Sequence, residues 1–266
     1  MIYKFTLEDV ILKDSLEAVS QYQKSSPRNQ FVIVGGIANQ LYTYSVFPAL
    51  SRPTTDLDID SDNYINFATF RDDVASVISK SLQRYSPKTS DKHHIFQIEV
   101  KDEDATPLLI HSYKFSVNAY ERNKKSLERQ VANAHWVNIP NFDSQVLVVR
   151  PEEVLYAKLD RLRKVDKGNR IPEELKEMYE RIRERDWIPL ADEDLKQWLV
   201  NLIREKQMLP GAYDEGELEF KKKLDHYRSS KDIYDVSLLI TLALQEKLNI
   251  DESYYQEILK SEGIYT

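Results

Sequence analysis

The chain has 266 residues, a net charge of −7 and no cysteine, with 41% hydrophobic and 30% charged residues. That length can bury a substantial core, as one large or two modest domains. The missing cysteines exclude a disulfide framework and a cysteine-ligated zinc site. No apolar run approaches the roughly 18 residues of a membrane span. Met1 to Thr6 lacks a basic start followed by an apolar stretch, so no secretory signal is expected and cytoplasmic residence is the default.

In chain order, Thr6-Leu7-Glu8-Asp9 reads as an N-cap and acidic first turn, opening a helix to about Gln23. Ser25 to Asn29 is a loop, and Phe31-Val32-Ile33-Val34 is a short apolar, β-branched strand. Gly35-Gly36 closes it, and the helical spacing of Ile37, Leu41 and Tyr44 predicts a helix beyond. Pro48 to Pro53 is a break. Asp56 to Asp60 alternates strictly, so Leu57 and Ile59 face a core while Asp56, Asp58 and Asp60 share the other side. Phe67 to about Leu82 has amphipathic helical spacing. Strands are expected at His94 to Val100 and Leu108 to Val117, joined by a turn at Lys101 to Asp104, and again at Val146 to Val149.

Beyond Arg150 the pattern becomes helical. Pro151-Glu152-Glu153 is a helix start, with proline in the first turn and acids at the positive dipole end. Helices are expected at about 151–164, 172–185, 191–206, 214–228, 230–247 and 251–261, with breaks at Pro172, Pro189 and Pro210. The chain therefore reads as an α+β protein: a mixed sheet flanked by helices over 1–150, then an all-helical domain over 151–266. Two basic clusters stand out. Lys114, Arg122, Lys124, Lys125 and Arg129 form one; Lys158, Arg161, Arg163, Lys164, Lys167 and Arg170 form the other. Each is read as a solvated helix face or an RNA-facing patch.

The chemistry concentrates between residues 34 and 60. Two of only six glycines stand together at the end of a strand, where the backbone can turn sharply and approach a phosphate. Asp56 and Asp58, two apart on an extended segment, point to one side and can hold one hard cation. Carboxylate oxygens favour Mg²⁺ or Mn²⁺ over zinc. His93-His94 is no ligand pair, since neighbours on a strand face opposite ways.

Val34 to Leu41 followed by Arg52-Pro53-Thr54-Thr55-Asp56-Leu57-Asp58-Ile59 resembles the signature of the nucleotidyltransferase-like AbiEii/AbiGii toxin family. Val154 to Leu162 resembles that family's lysine-bearing helix, and Lys231-Asp232-Ile233-Tyr234-Asp235-Val236 its Arg/Lys-Asp-x-x-Asp helix. The resemblance implies a nucleotidyltransferase-like fold and transfer of a nucleotide from an NTP to an RNA end, such as that of a tRNA, or to a protein hydroxyl. It implies a toxin paired with an antitoxin or acting in phage defence. Gly35 and Gly36 would then hold the NTP phosphates, and Asp56 and Asp58 the Mg²⁺ or Mn²⁺. Lys158 would contact the triphosphate, fixed by Asp235, with Arg52 and Thr55 in support. For Asp232 a role at the helix start, capped by Ser229-Ser230, is the simpler reading.

Two departures from the family stand in the sequence. Related enzymes carry a third carboxylate on a later strand, where this chain has His111, with Glu99 in the strand before. The segment from about 165 to 228 is also longer than expected. A nucleotide-binding module that acts through protein partners is the competing reading.

Overall fold

The computed structural model describes residues 5–25, 31–46, 48, 54, 56–61, 66–81, 87–92, 95–101, 108–113, 117–168, 171, 173–184 and 217–264. The expected helix over 191–206, together with Arg52 and Thr55, lies outside the described residues. The chain divides into two compact units. One spans Tyr3–Val154 and takes in Lys260–Thr266; the other is formed by Leu155–Leu259.

The first unit is a mixed sheet flanked by helices. Its strands are β1 (Phe31–Val34), β2 (Asp56–Ser61), β3 (Lys88–Lys92), β4 (Ile95–Val100), β5 (Leu108–Tyr113), β6 (His135–Asn138) and β7 (Gln145–Val148). They form one sheet in the order β3-β4-β5-β2-β1-β7-β6. Strand β1 pairs antiparallel with β2 and parallel with β7, while β2 runs parallel to β5. Helices α1 (Val10–Ser25), α2 (Gly35–Thr43), α3 (Asn66–Ser81) and α4 (Val117–Ala132) cover it.

Hydrophobic alternation sets the faces of this sheet. Leu57, Ile110 and Ile98 stand in one register row across β2, β5 and β4, and all three are buried. The neighbouring row, Asp56, Leu109 and Glu99, is half-buried. In β2 the pleat thus sends its leucine and isoleucine into the core and its aspartates to the other face.

Two buried glutamines brace the frame. Gln23 of α1 donates from Nε2 to the Phe31 carbonyl at 2.7 Å and the Leu147 carbonyl at 3.2 Å, and accepts from the Leu147 N–H at 2.9 Å. Gln40 of α2 accepts from the Leu7 N–H at 3.1 Å and donates to the Phe5 carbonyl at 3.2 Å. Both side chains hydrogen-bond buried backbone groups of neighbouring segments.

The second unit is helical. It holds most of α5 (Pro151–Lys167), then α6 (Glu173–Glu184), α7 (Glu217–Leu244) and most of α8 (Glu252–Ser261). Leu175, Tyr179 and Ile182 of α6 are buried, as are Ile233, Val236, Leu239 and Leu242 of α7. Asp251 caps α8, its Oδ1 accepting from the Tyr254 N–H at 3.1 Å. Among the described residues no helix is long and apolar enough to cross a membrane.

Four local expectations change. The two helices expected at 214–228 and 230–247 are one, because no proline or glycine interrupts residues 217–244 and Ser229 is buried within the turn it was expected to open. The strand expected to reach Val117 ends at Tyr113, and Val117 instead begins α4. Strands β3 and β6, at the two edges of the sheet, were not anticipated.

Replacing Gln23 by leucine strands two carbonyls and one N–H, so urea unfolding should show a loss of roughly 1–3 kcal/mol. A change below half a kcal/mol would mean that the brace does not bear on stability.

Candidate functional site

Strand β1 ends at Val34, and Gly35 takes φ = +69°, in the left-handed region that favours glycine. Helix α2 begins there with no side-chain capping bond and no acid in its first turn. The first N–H groups and positive dipole end of a helix favour negative charge. Antiparallel pairing sets Val34 opposite Asp58. A Cβ on Gly35 would stand 2.8 Å from Asp58 Oδ2 and 3.5 Å from its Cβ and Cγ. Any side chain at position 35 would therefore collide with the carboxylate.

Asp56 precedes it on the same half-buried face. The buried Thr54 hydroxyl lies 3.3 Å from both the Asp56 carbonyl and its Oδ1. Thr54 is itself fixed by backbone bonds to Phe5, 2.6 and 2.9 Å long. Asp60 completes the row, and burial pushes its carboxyl up to about 6. At the far end of α2, the Tyr42 hydroxyl donates to the Val149 carbonyl at 2.7 Å and stands 2.6 Å from His135 Nε2. That pair ties the helix to the end of β7, and burial, with Glu152 adding to it, holds the Tyr42 hydroxyl above its ordinary range.

Asp56 and Asp58 suit a hard divalent cation. They offer carboxylate oxygens on one face beside a helix start without a side-chain cap, and Mg²⁺ is commonly held by one or two carboxylates plus substrate phosphates. Among the described residues no group of three or more metal-ligating side chains converges. Strand β5 sets Leu109 beside Asp56 and His111 beside Asp58, and Glu99 lies one strand further, in register with Leu109.

Lys158 and Asp235 belong to the helical unit. The Lys158 side chain is 2% exposed, with Nζ 2.5 Å from Asp235 Oδ2 and 3.5 Å from Asp232 Oδ1. Arg161, one turn on, donates to Asp232 twice, from Nε and from a terminal nitrogen, both at 2.8 Å. Burial alone would raise the Asp232 carboxyl; Lys158 and Arg161 together outweigh it and hold it below the usual range. Asp232 is thus an ion-pair partner in mid-helix, not a residue of a helix start.

The structure brings Gly35 together with Asp58, and Lys158 together with Asp235. Gly36 lies in the first turn of α2, and Asp56 two residues before Asp58 on β2. Sequence reasoning did not single out Tyr42, and it named Thr54 only within the signature and Arg161 only within a basic cluster. The available signals were a hydroxyl two residues before Asp56 and a cation three residues after Lys158, spacings that let side chains meet on a strand lead-in and a helix face.

No family model matches the sequence, and no curated protein matches it. Among solved structures, the chain is similar to an antigenic nucleotidyltransferase-like protein from Paracoccidioides brasiliensis, at 22% identity and a TM-score of 0.39, covering 60% of this chain and 69% of that one. It is also similar to MenT4, a nucleotidyltransferase toxin of Mycobacterium tuberculosis, at 13% identity and a TM-score of 0.40, covering 98% and 96%. These likenesses are distant.

Two substitutions probe the geometry. Gly35→Ala meets both a positive φ and the Asp58 carboxylate, whereas Gly263→Ala, at φ = +73° with nothing within 4 Å, meets only the backbone strain. Urea unfolding should show about 1–3 kcal/mol lost at Gly263 and distinctly more at Gly35; equal losses would mean the carboxylate simply moves aside. Lys158→Ala leaves two buried aspartates without their ammonium and should cost about 3–5 kcal/mol in the same measurement.

Proposed function

We propose that this chain is a metal-dependent nucleotidyltransferase that moves a nucleoside monophosphate from an NTP to an acceptor hydroxyl, on an RNA such as a tRNA or on a protein. The acceptor hydroxyl gives its proton to solvent as its oxygen bonds the α-phosphorus, the bond from that phosphorus to the α–β bridging oxygen breaks, and pyrophosphate leaves with the electron pair. The observation that carries the reading is the approach of Gly35 to Asp58: a strand-to-helix turn at positive φ and a carboxylate held against each other.

In this reading the backbone N–H groups of Gly35 and Gly36 bind the phosphates, and Thr54 orients Asp56. Asp56 and Asp58 are the residues that would hold Mg²⁺ or Mn²⁺, which when bound neutralises charge on the phosphate oxygens. Lys158 and Asp235, a buried pair of the helical unit with Nζ 2.5 Å from Oδ2, are the lysine and aspartate that the family resemblance assigns to this activity. Arg52 and Thr55 support the Asp56 end. The resemblance to AbiEii-type proteins supports a toxin role, paired with a cognate antitoxin or acting in phage defence.

A second reading is a nucleotide-binding module acting through protein partners. It is favoured by Leu109 and His111 standing beside the aspartates where an acid would be expected.

The deciding experiment incubates the protein with α-labelled NTPs, Mg²⁺, total RNA and cell lysate. Label should pass to RNA or protein in the wild type, and disappear with EDTA or with Asp58→Asn. Nucleotide binding without any transferred label would favour the second reading; neither binding nor transfer would end both.

A further inference from the structure

The terminal torsion of an aspartate is soft, so the direction of the Asp56 carboxylate depends on what holds it. One hold is the Thr54 hydroxyl, 3.3 Å from Asp56 Oδ1. Thr54 lies outside the seven-stranded sheet, and its backbone is fixed by an isolated bridge to Phe5. The Phe5 N–H donates to the Thr54 carbonyl at 2.6 Å, and the Thr54 N–H to the Phe5 carbonyl at 2.9 Å. Even a whole isolated hairpin is marginal in water, so one bridged pair needs outside support. Gln40 of α2 supplies it. Its side chain donates to the Phe5 carbonyl at 3.2 Å and accepts from the Leu7 N–H at 3.1 Å. The Phe5 carbonyl thus accepts from both Thr54 and Gln40, which occupies its two lone pairs. Tyr44, one turn beyond Gln40, donates from its hydroxyl to Glu8 Oε1 at 3.1 Å and gives the same segment a second hold.

Helix α2 therefore bears on both carboxylates. Gly35 opens it, and Gln40 follows after about 7.5 Å of helical rise. Asp58 is set against Gly35 directly, by strand register and close approach. Asp56 is set against the same helix by a run of hydrogen bonds, from Gln40 to Phe5, between Phe5 and Thr54, and from Thr54 to Asp56. We infer that Gln40 is a positioning residue for the metal-binding pair, holding Asp56 in step with the start of α2 through the segment at Phe5. The assignment of Mg²⁺ or Mn²⁺ to that pair rests on the nucleotidyltransferase reading; the relay rests on the hydrogen bonds alone. Gln23 is the matched comparison. It is also buried and also bonds backbone groups, but those of Phe31 and Leu147, which are no part of the relay.

The test measures the dissociation constant for Mn²⁺ alone by electron paramagnetic resonance, together with the melting temperature of each protein without metal. Wild type, Thr54→Val, Thr54→Ser, Gln40→Leu and Gln23→Leu are compared. Losing a group that orients a metal ligand commonly costs about ten- to a hundredfold in affinity, so Thr54→Val and Gln40→Leu should each bind Mn²⁺ about tenfold or more weakly. Thr54→Ser keeps the hydroxyl and should bind within about threefold of the wild type; Gln23→Leu should melt lower yet bind within about twofold. A Gln40→Leu protein that melts lower but binds Mn²⁺ like the wild type has lost only a brace, and overturns the inference. Equal weakening by Gln40→Leu and Gln23→Leu overturns it as well. Should Gln40→Leu fail to fold, Thr54→Val decides, since unchanged Mn²⁺ binding there breaks the relay at its last step. A wild type that binds no Mn²⁺ also ends it. Label transfer is scored separately. A chain that transfers label while both relay variants bind Mn²⁺ like the wild type loses this inference and keeps its proposed function; the expected order of Mn²⁺ constants without any transfer does the reverse.

Discussion

A single close approach organises the sheet unit. Asp58 Oδ2 occupies the space in which any residue but glycine would put its Cβ, 2.8 Å away, and the backbone at that point already sits at φ = +69°. A conformation and a close contact therefore fall on one residue, and glycine meets both without the carboxylate having to shift. The surroundings hold that contact in place. Strand β1 lies between β2 and β7, Gln40 anchors α2 to the segment before α1, Thr54 ties Asp56 to Phe5, and Tyr42 fastens the other end of α2 to β7. A carboxylate and a helix start are thereby kept adjacent.

The helical unit poses a different physical problem. Two ammonium or guanidinium groups and two carboxylates meet where Lys158, Asp232 and Asp235 are each 2% exposed or less. Well-packed apolar residues could fill the same volume at equal or greater stability, so the network is weak evidence for stability in itself. What charges offer in such a place is exacting geometry: α5 and α7 can meet in one register only, since a slip of either helix would leave a buried ion alone.

Much of the sheet unit was legible because its signals are local. Four apolar residues ending in a glycine pair announced β1 and the start of α2, and strict alternation over Asp56 to Asp60 announced β2 with its two faces. The edge strands were not legible. Lys88–Lys92 is wholly polar and is a strand only because β4 supplies a partner, and His135–Asn138 is mostly exposed. The end of the strand before α4 was also misread, since Val117 suits a strand as well as a helix by its side chain alone. Serines 229 and 230 looked like a cap, but without a proline or glycine nearby the helix runs through them. The burial of Lys158 was hidden for another reason: its partners lie 74 and 77 residues away in sequence.

That long separation has a consequence for how the chain can change in length. Closing a loop becomes harder only with the logarithm of its size, about 0.6 kcal/mol for each doubling. The ions that pair across this loop already lie 74 and 77 residues apart, so a few residues more or fewer change its closure entropy little. The unusually extended stretch between the lysine helix and the aspartate helix is, on these grounds, inexpensive to carry and open to insertion.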